Sequence, residues 1–202
     1  MKKNYRITKL GLVLTLCLSM LCGTAIADDS GTFPDIPAGA SYAEAVEVLA
    51  DLGIFQGDNH GKFNPDKTIT RAEAATIICR LLGVEDEAKA LKQTVFSDVL
   101  STNWAVGYIA KAAELGIIMG YGNGKFGPDD PVTQEQIVKM LVCAWGYGQY
   151  AEEIGGWPAG YIAVAEEVGL IADANTVSNF AAKRSEVAVW CYNILFVNEN
   201  FE

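Results

Sequence analysis

A tandem repeat is the sequence feature that most constrains what this chain can fold into. The segment that begins at Phe33 aligns, without a gap, with the segment that begins 63 residues later at Phe96. Repetition at a fixed spacing of this size is typical of folds in which small structural units pack side by side. The aligned pairs include Asp35 with Asp98, Leu52-Gly53-Ile54 with Leu115-Gly116-Ile117, Gly61-Lys62-Phe63 with Gly124-Lys125-Phe126, Pro65-Asp66 with Pro128-Asp129, and Thr70 with Thr133.

A third, less regular copy begins near Trp157. Its Trp157 and Tyr161 lie 53 residues after Trp104 and Tyr108, and its Arg184 falls on the position of Arg71 after a loop that is three residues shorter. This copy lacks the Phe-x-Asp opening, the loop glycines and the Pro-Asp turn of the other two. We therefore predict repeats at 33–83, 96–146 and 157–197.

Each repeat predicts a helix, a glycine stop, a loop and a second helix. Glycine follows each first helix, as is common at helix C-termini. Thr70 with Glu73, and Thr133 with Gln136, have the spacing of a capping box at the start of a second helix. The predicted first helices cover 42–52, 104–115 and 158–168, and the predicted second helices cover 71–82, 134–145 and 184–196.

The pattern of apolar residues predicts the fold class. The second and third of the second helices are apolar on nearly every side, which indicates burial. One helical pair cannot bury such faces alone, whereas three pairs around a common axis can. The predicted fold is therefore all-α, with three helix-loop-helix repeats in a pseudo-three-fold spindle.

The N-terminus has the three parts of an export signal. A positive segment precedes an apolar stretch, and Ala25-Ile26-Ala27 is a cleavage site of the A-x-A type. We predict a signal peptide at 1–27 and a single folded unit at 28–202. No later stretch is long and apolar enough to predict a membrane span. Three cysteines remain after residue 27, and an odd number in an exported chain excludes complete internal pairing.

Charge and residue usage exclude several classes of function. The chain has 15 basic and 25 acidic residues, and four of the basic residues fall within 1–27, so the remainder carries a net charge of −14. Such acidity argues against binding of nucleic acid, which requires basic surfaces. The single histidine, His60, and the lack of a nucleophile–base set argue against an enzyme, a metal site or a cofactor.

The repeat motifs resemble those of the S-layer homology domain family. The pattern runs from a Phe-x-Asp-Val opening through an aromatic residue, a Gly-Ile pair and a Gly-x-Gly-x-Phe-x-Pro loop to Ile-Thr-Arg-Ala-Glu. The residues that carry the resemblance are Phe33-Pro34-Asp35-Ile36, Gly53-Ile54, Gly61 to Pro65 and Ile69-Thr70-Arg71-Ala72-Glu73 in the first repeat, and Phe96-Ser97-Asp98-Val99, Trp104, Gly116-Ile117, Gly124 to Pro128 and Val132-Thr133-Gln134-Glu135-Gln136 in the second.

The resemblance implies a fold, a location and a role. It implies a three-pronged helical spindle that holds exported bacterial proteins non-covalently on the cell envelope, so that the protein is secreted and associated with the cell wall. The implied ligand is a secondary cell-wall polymer, an anionic and often pyruvylated glycan lying in grooves between repeats. The implied glycan-binding residues are Asp35, Arg71, Glu73, Asp98, Trp104, Trp157 and Arg184.

Arg71 leads this set because its position is unfavourable for a cation. The start of a helix carries partial positive charge, which disfavours arginine by a few tenths to ~1 kcal/mol. A bound acid group would reverse that penalty. We rank the groove at Arg71 first and one at Arg184 second, because the second repeat has Gln134 at this position. We also expect that Arg71→Ala leaves stability unchanged.

Three alternatives remain open from the sequence. Arg71 can be solvated or paired with a nearby carboxylate. Trp104 and Trp157 can be hydrophobic staples at the starts of helices instead of platforms for sugar rings. The chain as a whole can be a structural module that binds another exported protein and no glycan.

Overall fold

The computed structural model describes residues 32–195. The predicted signal peptide at 1–27 and the last predicted helical residue, Phe196, lie outside this range. The described residues form eight α-helices and a short 3₁₀ helix, so the prediction of an all-α protein is confirmed. The α-helices are α1 (Ala43–Asp51), α2 (Arg71–Leu81), α3 (Glu85–Ala90), α4 (Val106–Glu114), α5 (Gln134–Ala144), α6 (Gly148–Ile154), α7 (Ala159–Glu167) and α8 (Arg184–Leu195), and the 3₁₀ helix is Ala174–Thr176.

Both predicted capping boxes form. The N–H of Glu73 donates to Thr70 Oγ1 at 3.2 Å, and the N–H of Thr70 donates to Glu73 Oε2 at 2.9 Å. Thr133 and Gln136 exchange the same two bonds at the start of α5. Each pair satisfies two backbone groups that a helix start leaves without a partner, which is why α2 and α5 begin where the sequence predicts.

Two short helices occupy the segments between repeats. The sequence predicts an exposed helical turn at 84–95 and a linker at 147–154, and the structure has α3 in the first segment and α6 in the second. A Cβ on Gly107 would overlap the carbonyl oxygen of Ala88, and one on Gly160 would overlap that of Ala151. Glycine at these positions therefore allows α3 and α6 to lie directly against α4 and α7.

The helices pack across repeats in a closed order. The first helix of the second repeat, α4, packs on α2, and the first helix of the third repeat, α7, packs on α5. The circle is completed by α1, which packs on α8 from the other end of the chain. Tyr192 of α8 donates from its hydroxyl to Glu44 of α1 at 2.8 Å across this contact. The helices α1, α4 and α7 thus each pack on a helix that lies outside their own helix-loop-helix pair.

Three backbone hydrogen bonds link the starts of the second helices. The N–H of Ile69 donates to Ala182 at 3.2 Å, that of Ala182 donates to Val132 at 2.9 Å, and that of Val132 donates to Ile69 at 3.0 Å. All three side chains are fully buried. One residue from each repeat is therefore joined to the other two in a closed ring of hydrogen bonds.

The core includes the phenylalanine of each glycine-rich loop. Phe63 and Phe126 are completely buried, and each contacts the opening phenylalanine of its own repeat, with ring centroids 5.5 Å apart for Phe33 and 5.3 Å apart for Phe96. These contacts attach the two glycine-rich loops to the core. Across 32–195, every helix falls short of the length and hydropathy that crossing a membrane requires.

Candidate functional site

Arg71 leaves its own helix and binds the loop of the next repeat. Its Nε donates to the carbonyl oxygen of Phe126 at 2.8 Å, and its Nη2 donates to that of Met119 at 2.9 Å. Its Nη1 donates to Gln136 Oε1 at 3.3 Å, and the guanidinium lies over the rings of Phe126 and Tyr121 at 4.5 and 4.8 Å. The residue is only 3% exposed. Arg71 therefore connects the first repeat to the second.

Asp98 holds the same loop from within the second repeat. Its two carboxylate oxygens accept hydrogen bonds from the N–H groups of Phe126 and Gly127, each at 2.8 Å. Phe126 is thus fixed on both sides of its backbone, by Asp98 at its N–H and by Arg71 at its carbonyl. We call this arrangement, an opening aspartate and a helix-start side chain on one loop, a loop clamp.

Asp35 and Arg184 form the equivalent loop clamp on the first repeat. Asp35 accepts from the N–H groups of Phe63 and Asn64 at 2.8 and 2.7 Å. Arg184 donates from Nε to the carbonyl oxygen of Phe63 at 2.8 Å and from Nη2 to that of Gln56 at 3.0 Å. Its guanidinium lies 4.8 Å from the centroid of the Phe63 ring. Unlike Arg71, Arg184 is partly exposed.

Gln134 lies at the arginine position of the second repeat and contacts the third. It accepts hydrogen bonds from the loop there, whereas Arg71 and Arg184 donate to theirs. Its Oε1 accepts from the N–H and the hydroxyl of Ser178 at 3.0 and 2.8 Å. Its Nε2 donates to Glu186 Oε1 at 3.1 Å. As the sequence predicts, the second repeat has no cation at this position. The loop that Gln134 binds offers the N–H and hydroxyl donors of Ser178 to it.

The two arginines carry charges without ion pairs. In the described range, neither guanidinium forms a salt bridge, and the acceptors that they bind are neutral carbonyl and amide oxygens. Burial lowers the pKa of the Arg71 guanidinium, whereas the Tyr121 hydroxyl and the carboxylates of Asp130 and Asp98 raise it. Because arginine stays protonated in proteins, both clamps keep a positive charge near the surface.

The clamp aspartates are held as anions by backbone hydrogen bonds. Burial raises the pKa of Asp98, but the N–H groups of Phe126 and Gly127 outweigh that effect, so the pKa lies below its ordinary value. The pKa of Asp35 is lowered in the same way, against the effect of burial, by the N–H groups of Phe63 and Asn64. These carboxylates shape the loops and have their oxygens engaged.

The residues that the family resemblance implies for glycan binding do not all lie together in space. The structure brings together Arg71 with Asp98, and Arg184 with Asp35, at the two loop clamps. Glu73 belongs to a capping box and lies 3.4 Å from Lys67, at the start of the same helix as Arg71. The two alternatives for Arg71, a solvated side chain and a salt bridge to a nearby carboxylate, are wrong, because it is buried and its hydrogen-bond partners are carbonyl and amide oxygens of the second repeat.

Trp104 lies at the end of α2 that is remote from Arg71, and both Trp104 and Trp157 are exposed. Trp104 is 60% exposed and lies beside Lys89 and Lys92, which follow the C-terminal end of α2. Arg71 starts that helix, and 11 residues of α-helix span about 16 Å. Trp157 is 46% exposed, with Lys139 Nζ 5.5 Å from its ring centroid. Neither tryptophan is a buried staple.

Tyr121 and Gln136 are clamp residues that sequence reasoning missed. Tyr121 is 51% exposed, and its hydroxyl donates to Asp130 Oδ2 at 2.9 Å while its ring covers the Arg71 guanidinium. Its place directly after Gly120 in a glycine-rich loop is the only sequence signal for it. Residues 32–195 contain no group of three or more metal-ligating side chains.

Comparison with known proteins agrees with the repeat pattern. A family model described as the S-layer homology domain matches residues 32–75 and 95–138, within the first two repeats. The chain is 37% identical over 159 residues to a cell surface protein of Thermoanaerobacter kivui, an alignment that covers 78% of this chain and 20% of that protein. It is 33% identical over 188 residues to the middle cell wall protein of Brevibacillus brevis, with 93% and 18% covered.

A third relative is also similar to most of this chain over a small part of its own length. The surface layer protein of Brevibacillus choshinensis is 36% identical over 159 residues, which cover 77% of this chain and 14% of that protein. The chain therefore spans about a fifth or less of the length of these relatives.

Proposed function

The chain belongs to the S-layer homology domain family, and from this premise we propose that it binds an anionic glycan of the cell wall without a covalent bond. The family and the relatives place the chain at the cell surface, in association with the cell wall. The glycan itself, a secondary cell-wall polymer with acid groups, is our proposal. We also propose that the chain is a binding module and not an enzyme.

One observation carries the glycan proposal. Arg71 and Arg184 are held at the junctions between repeats, and no carboxylate of residues 32–195 is paired with either charge. The carboxylates of Asp98 and Asp130 raise the pKa of Arg71, and those of Glu73, Asp35 and Asp58 raise the pKa of Arg184, but none of them forms a salt bridge with the guanidinium. An acid group placed beside each clamp would add a direct ionic partner, and a polymer with repeating acid groups supplies several at once.

The clamps differ in how much of the arginine a ligand can reach. Arg71 is 3% exposed, so its charge acts on a ligand through the exposed edge of Tyr121 and the neighbouring glycine-rich backbone. Arg184 is partly exposed and makes two hydrogen bonds, so it can contact an acid group directly. We therefore rank the Arg184 clamp above the Arg71 clamp, which reverses the order that the sequence suggests.

The other residues of the sequence set have supporting roles in this proposal. Asp35 and Asp98 position the loops through backbone N–H groups, and Glu73 fixes the start of α2. Trp104 and Trp157 both provide exposed aromatic faces, and we assign stacking on an acidic sugar to Trp104, because the cation beside Trp157 is paired with Glu152. The Trp104 face lies at the end of α2 that is remote from Arg71, so one chain would contact several units of a polymer.

We infer a pseudo-three-fold spindle for the arrangement of the repeats. The ring of hydrogen bonds among Ile69, Val132 and Ala182 supports it, as does the packing of each first helix on the preceding repeat. From the sequence pattern we also propose a signal peptide at 1–27, a single unit at 28–202 and a third repeat at 157–197.

Cell-wall co-sedimentation tests the function. The protein is mixed with purified bacterial walls, and with the same walls after the secondary polymer has been chemically removed. We expect the protein to pellet with the intact walls and to stay in solution with the stripped walls. Equal pelleting with both preparations, or with neither, would contradict the glycan proposal.

A second candidate function is docking of another exported protein. It is favoured by two exposed apolar side chains, Met119 beside Arg71 and Phe180 beside Gln134, which are 69% and 75% exposed. Docking on such a surface depends on apolar contacts and little on the arginine charges. Pelleting that survives removal of the polymer, but is lost after protease treatment of the walls, would favour this candidate.

A further inference from the structure

An open cleft lies at the end of α2 that is remote from Arg71. It has a volume of about 390 Å³. Its walls come from the end of α3, the segment that follows α3, and the first turn of α4. None of the residues that line it is acidic, although the chain as a whole is strongly so. The lining residues that this argument uses are Lys89, Lys92, Ser101, Asn103 and Trp104.

Lys92 gives the cleft a positive charge that nothing nearby cancels. Its Nζ donates to the carbonyl oxygen of Lys89 at 2.7 Å, which orients the ammonium group, and it forms no ion pair with any residue of 32–195. Lys89 is 3.2 Å from Glu85, so its own charge is partly compensated. Lys92 is therefore the principal cation of the cleft.

An aromatic face and neutral donors accompany this cation. Trp104 is 60% exposed, which is unusual for an indole, and a tryptophan that acts as a hydrophobic staple would be buried. Asn103 accepts from the N–H of Ala105 with its side-chain oxygen, which leaves its amide group to donate, and Ser101 is exposed. A flat apolar surface bordered by hydrogen-bond donors and a cation matches a sugar ring that carries an acid group.

The equivalent position in the third repeat differs in charge. Trp157 corresponds to Trp104, but the cation beside it, Lys139, lies 3.8 Å from Glu152. Glu152 also accepts a hydrogen bond from Tyr161 at 2.6 Å. The Lys139 charge is thus partly compensated, and an anionic sugar gains less from it than from the Lys92 charge. The chain provides its own control for the effect of charge beside an exposed tryptophan.

From this contrast we infer that the Trp104 cleft is a second binding subsite, specific for an anionic sugar residue, and separate from the loop clamps. The inference rests on the proposed function only in taking an acidic glycan as the ligand class. The indole stacks on the sugar ring, and Lys92 pairs with the acid group. The Trp157 surface takes no part in this selection.

The test is a titration of ¹⁵N-labelled protein followed by NMR at the indole N–H signals. The chain has four tryptophans, and the spectra of Trp104→Phe and Trp157→Phe assign two of the four signals. The probes are an oligogalacturonate, a neutral cello-oligosaccharide of the same length and inorganic phosphate. The variants are Lys92→Gln and its matched control Lys139→Gln.

We expect oligogalacturonate to shift the Trp104 signal saturably, with Trp157 unmoved and the neutral sugar without effect. Lys92→Gln should weaken this binding by about 2–5-fold, the value of one surface charge pair, and Lys139→Gln should leave it unchanged. Equal shifts at both tryptophans, a response to the neutral sugar, an unchanged Lys92→Gln variant, or no Trp104 shift up to about 10 mM would overturn the inference.

Two further outcomes separate this inference from the proposed function. If phosphate alone moves the Trp104 signal as strongly as the oligosaccharide, the cleft is a simple anion site and the sugar assignment is wrong. If the Trp104 signal is silent while the protein still pellets with intact walls only, the subsite is refuted and the proposed function stands. A shift at Trp104 without wall binding would refute the proposed function alone.

Discussion

The guanidinium of Arg71 donates a hydrogen bond to the backbone carbonyl of Phe126, 55 residues further along the chain, at 2.8 Å. This bond explains an arginine in the first turn of a helix, where the helix dipole is unfavourable. The side chain leaves its own helix and holds the loop of the next repeat. The same side chain brings a charge without a salt bridge to a junction between repeats, which connects the stability of the fold to the proposed binding site.

Arg71→Ala should lower the free energy of unfolding by about 2–4 kcal/mol, and not leave it unchanged as the sequence suggests, because it removes a buried side chain and leaves the carbonyl groups of Phe126 and Met119 without their donor. Urea denaturation at neutral pH measures this difference. Lys67→Ala is the control, since it removes a surface ion pair with Glu73 that is worth less than about 1 kcal/mol. Equal stability of Arg71→Ala and the wild type would show that the clamp contributes little.

Glutamine variants should separate charge from fold, because the glutamine amide group can still donate a hydrogen bond to the loop carbonyl that each arginine binds. Arg184→Gln should weaken pelleting with intact walls more than Arg71→Gln does, since Arg184 is the partly exposed arginine. The fraction of protein bound at equal wall concentration gives the comparison. A larger loss from Arg71→Gln would restore the order that the sequence suggests.

Acid should destabilise the protein through the clamp aspartates. The folded-state pKa of Asp35 and of Asp98 lies below the ordinary value of 3.8. Their contribution to stability is therefore fully present above pH 3.8 and is lost as the pH falls through the folded-state pKa. Urea denaturation at a series of pH values between about 5 and 2 measures this loss.

Asp98→Asn is the variant that isolates one aspartate. It should be less stable than the wild type at pH 7, because an amide has one oxygen to accept the two N–H groups of Phe126 and Gly127. Its stability should also fall less steeply in acid. A variant whose acid dependence matches that of the wild type would show that Asp98 does not control this transition.

Gly160→Ala should destabilise the third repeat, because the added methyl group would overlap the carbonyl oxygen of Ala151 and force α6 away from α7. Overpacking of this kind costs about 1–3 kcal/mol. Gly155→Ala is the matched control, since its Cβ would meet nothing closer than 3.4 Å. Thermal unfolding followed by circular dichroism measures both. Similar melting temperatures for the two variants would contradict the close contact of these helices.

The sequence predicts the local structure well because its signals are local. Thr70 and Glu73 are three residues apart, and their capping box depends on little beyond that spacing. The starts of α2, α5 and α8 are therefore predicted to the residue. The sequence predicts no more than a helical turn for α3 and a linker for α6, because the formation of both depends on contacts with α4 and α7 at Gly107 and Gly160. Such contacts have no signature within the segment itself.

The partner of Arg71 is unpredictable from sequence for a physical reason. A backbone carbonyl is present at every residue, so no residue type marks Phe126 or Met119 as an acceptor. The separation of Trp104 from the clamp likewise follows from the antiparallel packing of α4 on α2, which places the start of α4 at the far end of α2. The family motifs associate Arg71 and Trp104 with one function, whereas the structure places them near opposite ends of α2.

The most direct measurement of the central claim is calorimetric titration of the protein with purified secondary polymer, before and after chemical reduction of its carboxyl groups to alcohols. If acid groups bind beside the arginine clamps and in the Trp104 cleft, the native polymer should bind saturably and the reduced polymer at least about tenfold more weakly, a difference of about 1.4 kcal/mol. Equal affinity for both polymers would contradict the account, because the sugar backbone alone would then carry the binding.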